Sequence, residues 1–199
     1  MSNLKVGITG NIGSGKTTVC QIFRTIGVPV YFADAAAKRL MVEQPALVEG
    51  ITDLFGSESY HPDGTLNRAH LAARAFGNDS LLARLNALVH PAVRTDAQRW
   101  HEAQHAPYTL HEAALTFETG GDRRLDRVIV VAAPEAVRLA RVVRRDGADE
   151  TQVRERMRHQ MPEAEKVRRA DFVIRNDGAS LLIPQVLRIH RSLLESVSD

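Results

Sequence analysis

Residues 10–17 read G-N-I-G-S-G-K-T, the complete G-x-x-x-x-G-K-[ST] pattern of a phosphate-binding loop. Leu4, Val6 and Ile8 precede it with the alternation of a short strand, and apolar residues at helical spacing follow Lys16. A glycine-rich turn between a strand and a helix directs backbone N–H groups and the positive end of the helix dipole to one point. The stretch therefore predicts a nucleoside triphosphate site.

Each part of this loop has an expected contact. Lys16 is expected to reach the β- and γ-phosphates, and the Thr17 hydroxyl is expected to ligate Mg²⁺. The residues expected to contact the nucleotide are Asn11, Ile12, Gly13, Ser14, Gly15, Lys16, Thr17 and Thr18. The alternative, a chance glycine turn, is disfavoured because a strand and a helix flank the motif as the site requires.

Composition restricts the classes of protein that fit the chain. Its 199 residues suit one domain of ordinary size with small insertions, and its 44% apolar content is typical of globular proteins. No apolar run approaches the length of a membrane span, and a net charge of +2 does not indicate a polyanionic partner. We expect no nucleic-acid or membrane partner, and no obligate protein partner is evident.

The single cysteine, Cys20, cannot form an internal disulfide, which fits a reducing cytosol. Cys20 falls among apolar positions of the first predicted helix, so we expect a small buried side chain there rather than a reactive thiol. The N-terminus leads at once into a predicted strand and shows no signal-peptide core. These features together predict a cytoplasmic location.

Short apolar stretches alternate with helical patterns along most of the chain. Strands are predicted at residues 4–8, 28–32, 128–132 and 172–174, and strand character also begins at Tyr108. The run at 128–132 is continuously apolar, which is typical of a parallel strand buried on both faces. The pattern predicts an α/β fold, namely a three-layer P-loop fold with a parallel sheet.

Residues 36–105 differ, because their apolar residues recur only at helical spacing. Asn67 is expected to be the N-cap of one of these helices. Pro91 is expected to end one helix and to open the next, since proline suits the first turn of a helix but not its interior. We therefore predict a helical insertion between the second and third strands.

Asp34 directly follows the second predicted strand, and ligands of open α/β sheets bind beyond the carboxyl ends of the strands. A carboxylate there would accept the proton of a substrate hydroxyl as that hydroxyl attacks the γ-phosphate. Local sequence equally supports an N-cap for the helix that follows. The neighbouring phosphate loop favours the role of base.

Arginines are concentrated in residues 138–169, which we predict to be a helical lid. Arg141 and Arg145 are four residues apart and share a helix face, flanked by Arg138 and Arg144. Such a lid would stabilise charge on the transferring phosphoryl group and exclude water. The alternative, a solvated helix with internal ion pairs, is expected in part for residues 154–158, where Glu155 interleaves.

The remaining patterns narrow the class of enzyme. No N-K-x-D guanine-reading motif occurs in the chain, so a GTPase is unsupported. The basic stretch lacks interleaved aromatic residues, which argues against a nucleic-acid motor. What remains is a kinase that acts on a small molecule.

The chain resembles the dephospho-CoA kinase family nearly from end to end. The matching stretches are G-I-T-G-N-I-G-S-G-K-T-T-V (7–19), V-P-V-Y-F-A-D-A-A-A-K-R-L (28–40), L-N-R-A-H-L-A-A-R-A-F (66–76), L-N-A-L-V-H-P-A-V-R (85–94), F-E-T-G (117–120), R-x-x-x-R-D-G (141–147), H-Q-M (159–161) and K-V-R-R-A-D-F-V-I-R-N (166–176). The phosphate loop alone is unspecific. Three features are specific for the family when they occur together: the A-D pair after the second strand (33–34), the H-P pair (90–91) and the A-D-F-V-I-R-N segment (170–176).

The resemblance implies a single P-loop kinase domain over residues 1–199, which uses ATP and Mg²⁺ to phosphorylate the ribose 3′-hydroxyl of dephospho-CoA. It implies that Asp34 is the base, that Arg141 and Arg145 belong to the lid, and that residues 36–105 bind the CoA side through His90 and Arg94. Asn176 and Gly178 would border the adenine. His90 has the alternative of a helix C-terminal residue favoured by the dipole.

The sequence departs from the family pattern at Asn11, where many members have Gly, and at Arg138, where many have Gln. Residues 111–116 read H-E-A-A-L-T instead of the commoner V-P-L-L version, which leaves Glu112 and Thr116 without an assigned role. The alternatives are another nucleoside or nucleotide kinase, and a catalytically inactive ATP-binding sensor. Intact Lys16, Thr17 and Asp34 argue against the sensor.

Overall fold

The computed structural model describes residues 3–75 and 77–198. The chain divides into two compact units, Met1–Tyr31 with Ala103–Asp199, and Phe32–Glu102. The strands are β1 (Leu4–Thr9), β2 (Val30–Phe32), β3 (Tyr108–Glu112), β4 (Arg127–Ala132) and β5 (Phe172–Arg175). The helices are α1 (Lys16–Thr25), α2 (Ala33–Glu43), α3 (Pro45–Phe55), α4 (Arg68–Ala75), α5 (Asp79–Glu102), α6 (Glu135–Asp146), α7 (Glu150–Arg158), α8 (Glu163–Arg169) and α9 (Leu182–Ser198).

The five strands form one sheet in the order β2-β3-β1-β4-β5, and β1 pairs in parallel with β3 and β4. Strand β5 pairs in parallel with β4. Val6 and Ile8 of β1 and Ile129, Val130 and Val131 of β4 are fully buried, which is why these strands read as apolar runs. The prediction of an α/β fold on a parallel sheet is confirmed.

Because the strands are parallel, the residues that follow them meet at one edge of the sheet. The phosphate loop follows β1, Ala113 follows β3, Ala133 follows β4 and Asn176 follows β5. Helices α1 and α9 pack against each other, and they also contact strands of the sheet, as does α8. The sheet therefore brings segments that are distant in sequence to the phosphate loop.

The second unit contains helices α2 to α5, and the first three of these pack against α5. Its core is built on Ile51, Phe55 and Leu71. The Asn67 side chain accepts a hydrogen bond of 3.1 Å from the His70 N–H, as expected of the cap of α4. This unit spans residues 32–102, whereas the sequence patterns put the insertion at 36–105.

Helix α5 corrects one prediction. It runs from Asp79 to Glu102 as one helix with Pro91 inside it, so Pro91 does not separate two helices. A proline in a helix interior removes one backbone hydrogen bond and costs about 3 kcal/mol. Packing of α5 against α2, α3 and α4 offsets this cost, and the sequence pattern around Pro91 does not contain that information.

Candidate active site

The phosphate loop depends on glycine at three positions. Gly10, Gly13 and Gly15 have φ angles of 152°, 79° and 92°, a backbone region that residues with side chains rarely adopt. A Cβ atom on Gly13 would lie 2.5 Å from the Arg138 carbonyl oxygen, and one on Gly10 would collide with the carbonyl of Val131. The loop is therefore packed so closely against the carboxyl end of β4 and against α6 that only glycine fits.

Helix α1 begins at Lys16, directly after this loop, and Gly15 is its N-cap. The Lys16 ammonium donates a hydrogen bond of 2.8 Å to the carbonyl of Gly10, which brings its charge back over the loop. Thr17 and Thr18 lie exposed in the first turn. Among the described residues, the buried Ser14 hydroxyl has no hydrogen-bond partner. A glycine cradle, a helix N-terminus, a lysine and a threonine hydroxyl suit a polyphosphate with its magnesium ion.

Asn11 and Ile12 are bonded to a distant segment of the chain, and their contact with the nucleotide stays a prediction. The Ile12 N–H donates to the side-chain oxygen of Gln160 at 2.8 Å, and the Asn11 amide donates to the Met161 carbonyl at 3.1 Å. The Asn11 side chain and the Ile12 N–H thus connect the loop to residues 150 and 148 positions away. The Ser14 N–H donates to the Asn11 carbonyl at 3.0 Å, so the N–H groups of Gly13 and of Gly15 to Thr18 are the ones that suit phosphate.

Asn176 lies directly after β5 and bonds to the loop through its side chain. Its amide donates to the Ser14 carbonyl at 2.7 Å, and its own backbone carbonyl accepts a bond of 3.0 Å from Arg141. The Arg141 guanidinium also donates to the Asn176 side-chain oxygen at 3.3 Å. Gly178 follows in a turn with φ 93°, and no atom lies within 4 Å of the position that a Cβ would take there. Arg141, Asn176 and the phosphate loop are therefore brought together.

Two other arginines of the predicted lid, Arg138 and Arg145, differ in burial. Arg145 lies exposed on α6 and makes two hydrogen bonds to Asp146, which lower the pKa of that carboxyl to about 2. Arg138 is buried instead, donates to the carbonyl of Ala133 at 2.8 Å and lies 3.6 Å from Glu163. Arg138 is thus held in the interior through its Nε atom, whereas Arg145 is accessible.

Helix α7 carries the surface ion pairs that were expected in part. Arg154 pairs with Glu150 at 2.7 Å and Arg158 pairs with Glu155 at 3.1 Å, all four side chains being largely exposed. Such pairs contribute little to stability, typically about 0.3–0.5 kcal/mol at this helical spacing. The solvated-helix interpretation holds for this helix.

Asp34 is the second residue of α2, which begins directly after β2. Phe32 is the N-cap of this helix, so the interpretation of Asp34 as the cap is wrong. The helix begins two residues earlier than the sequence pattern suggested. The Asp34 carboxylate is exposed in the first turn of α2. It is accessible as a proton acceptor.

His90 and Arg94 are four residues apart on α5 and lie exposed on the same side of it. Because α5 continues to Glu102, His90 is in the middle of the helix, and the alternative of a C-terminal histidine favoured by the dipole is wrong. Partial burial, and then the charge of Arg94, lower the pKa of His90. A neutral imidazole beside a guanidinium offers hydrogen bonds and one positive charge to an anionic ligand.

Sequence reasoning missed Glu118, Gln160, Met161 and Lys166. Lys166 is fully buried and forms an ion pair of 2.8 Å with Glu118, whose carboxylate also accepts from the Met161 N–H at 3.0 Å. The stretches F-E-T-G and H-Q-M contain three of these residues but suggest no contact. Glu112 and Thr116 are buried, and Thr116 donates to the Ala113 carbonyl.

Cys20 is buried, as expected. Burial, and then the negative charge of Glu112, raise the pKa of its thiol to about 12.

Within residues 3–75 and 77–198 there is no cluster of three His, Cys, Asp or Glu side chains that suits a metal ion. The same part of the chain contains no helix that is long and apolar enough to span a membrane.

Comparison with known proteins supplies independent findings. A sequence profile of the family described as dephospho-CoA kinase matches residues 4–181. The dephospho-CoA kinase of Salinibacter ruber is 47% identical over 176 residues, which cover 87% of this chain and 88% of that protein. The crystal structure of TT1252 from Thermus thermophilus is 36% identical, covers 98% of both chains and superposes with a TM-score of 0.85. Dephospho-CoA kinase from Campylobacter jejuni, 23% identical, shares the fold with a TM-score of 0.71 and covers 96% of this chain and 98% of its own.

Proposed function

The chain belongs to the dephospho-CoA kinase family and is a kinase of the last step of coenzyme A biosynthesis, and we propose that it uses ATP with Mg²⁺ for this reaction. The acceptor in this proposal is the ribose 3′-hydroxyl of dephospho-CoA. The observation that carries the proposal is the assembled phosphate loop, whose three glycines and Lys16 form a cradle for a triphosphate. The comparisons do not favour another nucleoside kinase or an inactive sensor.

In the first unit, the backbone N–H groups of Gly13 and of Gly15 to Thr18 bind the β-phosphate, and Lys16 neutralises negative charge on the β- and γ-phosphates. The Thr17 hydroxyl is the ligand that this chain offers to Mg²⁺, which would supply additional positive charge to the phosphates. Asn176 and Gly178 border the adenine. Arg141 and Arg145 stabilise the charge of the transferring group as lid residues.

In the second unit, Asp34 accepts the proton of the ribose 3′-hydroxyl. At the same time the oxygen of that hydroxyl forms a bond with the γ-phosphorus, and the bond between the γ-phosphorus and the oxygen that bridges to the β-phosphate breaks. His90 and Arg94 bind the CoA side of the acceptor. A cytoplasmic location completes the proposal, and it is supported by a buried, protonated Cys20 that requires no oxidising compartment.

The first experiment compares acceptors. Release of ADP is measured for the wild-type protein with dephospho-CoA, adenosine and AMP. Binding energy from the pantetheine arm orients the hydroxyl, so kcat/KM for dephospho-CoA is expected to exceed that for the smaller acceptors by about 10² or more. Comparable values for adenosine and dephospho-CoA would contradict the assignment of the acceptor.

A matched pair of variants tests the phosphate loop in the same assay. Lys16→Ala is expected to lower kcat by about 10²–10³, because an electrostatic contact to the reacting phosphate is lost. Arg24→Ala removes one positive charge from the exposed last turn of the same helix and is the control. Equal activity of the two variants would remove Lys16 from the mechanism.

A further inference from the structure

The segment between α7 and α8 is bonded to the phosphate loop at two consecutive residues, Gln160 and Met161, which we call the latch. The Gln160 side-chain oxygen accepts from the Ile12 N–H at 2.8 Å. The Met161 carbonyl accepts from the Asn11 side chain at 3.1 Å. Two bonds from neighbouring residues fix both the position and the orientation of the first part of the loop.

A buried ion pair fixes the latch in turn. Glu118 Oε1 accepts from the Met161 N–H at 3.0 Å and lies 2.8 Å from the ammonium of Lys166. Lys166 is fully buried, and it also donates to the Ala114 carbonyl at 3.2 Å. That same carbonyl accepts from the hydroxyl of Thr9, the last residue of β1. The bonds therefore form a closed circuit from the end of β1 through Lys166, Glu118 and Met161 back to the loop.

Stability alone is a poor explanation for this ion pair. A buried pair requires the desolvation of both charges, and apolar residues of similar volume often give an equally stable protein. Burial opposes ionisation of Glu118, yet the bonds from Lys166 and from the Met161 N–H outweigh it, so that the pKa of Glu118 is lowered. The carboxylate stays charged and remains an acceptor for the Met161 N–H.

We propose that Gln160 and Glu118 are positioning residues for the phosphate loop: they hold the latch so that the loop presents its N–H groups to the triphosphate, and Lys166 supports them through its ion pair with Glu118. The Ile12 N–H is then occupied by Gln160, and the loop is restricted to the shape that its glycines permit. None of the three residues needs to touch the substrate. The proposal rests on the proposed ATP-dependent function.

The test of Gln160 measures KM for ATP, KM for dephospho-CoA, kcat and the melting temperature. Gln160→Met keeps the length of the side chain and removes the acceptor for the Ile12 N–H. Loss of this bond is expected to raise KM for ATP about tenfold, with KM for dephospho-CoA within about twofold of wild type. Gln152→Met, at an exposed position of α7, is the matched control with unchanged constants.

Two double variants test the ion pair. Glu118→Gln with Lys166→Met removes both charges and keeps an oxygen that accepts from the Met161 N–H, whereas Glu118→Met with Lys166→Met removes that oxygen as well. The first is expected to stay within about threefold of the wild-type KM for ATP, and the second is expected to raise it about tenfold. A purely structural ion pair would give both variants the same KM.

The outcomes separate this inference from the proposed function. Wild-type protein that shows no ATP-dependent turnover would overturn both. An active wild type with a KM for ATP within twofold in Gln160→Met, or with equal KM values in the two double variants, would overturn the positioning role alone. If Gln160→Met fails to fold, the comparison of the double variants decides.

Discussion

The phosphate loop and the middle of α5 are both predicted to bind ligand, but they are built in opposite ways. The loop is irregular, and bonds from Gln160 and from Asn176, 148 and 162 positions away, hold it in place. Around Pro91, α5 is a regular helix, and it presents His90 and Arg94 on an exposed face. The glycine-lysine motif predicted the irregular loop. The pattern around Pro91, in contrast, predicted that a helix ends where the regular helix α5 continues.

This difference shows what a short motif contains. The glycines and the lysine of the loop specify backbone conformations and a charge that hardly any other residues supply, so their spacing alone is informative. The continuity of α5 instead depends on packing against three other helices, which outweighs the local preference of proline. We therefore expect substitution of an exposed side chain of a site to change the rate of the reaction. Substitution at a position where the backbone is strained is expected to change the free energy of unfolding instead.

The largest expected effect concerns Asp34 in the helical unit. Asp34→Asn keeps the shape of the side chain but cannot take up the proton of the acceptor hydroxyl, so kcat is expected to fall by about 10²–10⁴. ATP affinity is expected to stay unchanged, as measured by titration calorimetry. Asp53→Asn, an exposed carboxylate on α3, is the matched control. A normal kcat in Asp34→Asn would leave the helical unit with a binding role only.

The second effect concerns Pro91. Pro91→Ala restores a helical hydrogen bond and removes the clash of the proline ring with the preceding turn, which together cost about 3 kcal/mol, while the freer unfolded chain takes back about 0.4–1 kcal/mol. The free energy of unfolding in urea is therefore expected to rise by about 2 kcal/mol. Pro45→Ala, in the first turn of α3 where proline is tolerated, should bring no such gain. A loss of stability in Pro91→Ala would mean that α5 is packed around the proline ring.

The smallest effect concerns Cys20, in the helix that follows the loop. Burial, and then Glu112, raise the pKa of its thiol from 9.0 to about 12, so above pH 9 the thiol ionises in the unfolded chain and stays protonated in the folded one. This contribution to stability is complete below pH 9 and is lost as the pH rises toward 12. Between pH 8 and 10, wild type should lose about 1.4 kcal/mol more than Cys20→Ala in urea unfolding. Equal losses would mean that water reaches Cys20.

The sequence predicted the α/β class, the helical insertion and the glycine cradle with Lys16. It also singled out Asp34 and Arg141, which remain candidates for the base and for a lid residue. These features depend on local conformation or on residue types within a short window, which a sequence displays directly. The latch, the buried Lys166 and the bonds of Asn176 to the loop needed the tertiary structure. A parallel sheet brings the ends of distant strands to one edge, and only there do Gln160, Glu118 and the loop meet. The same reason explains the error at Pro91, because the packing that keeps α5 continuous comes from helices far along the chain.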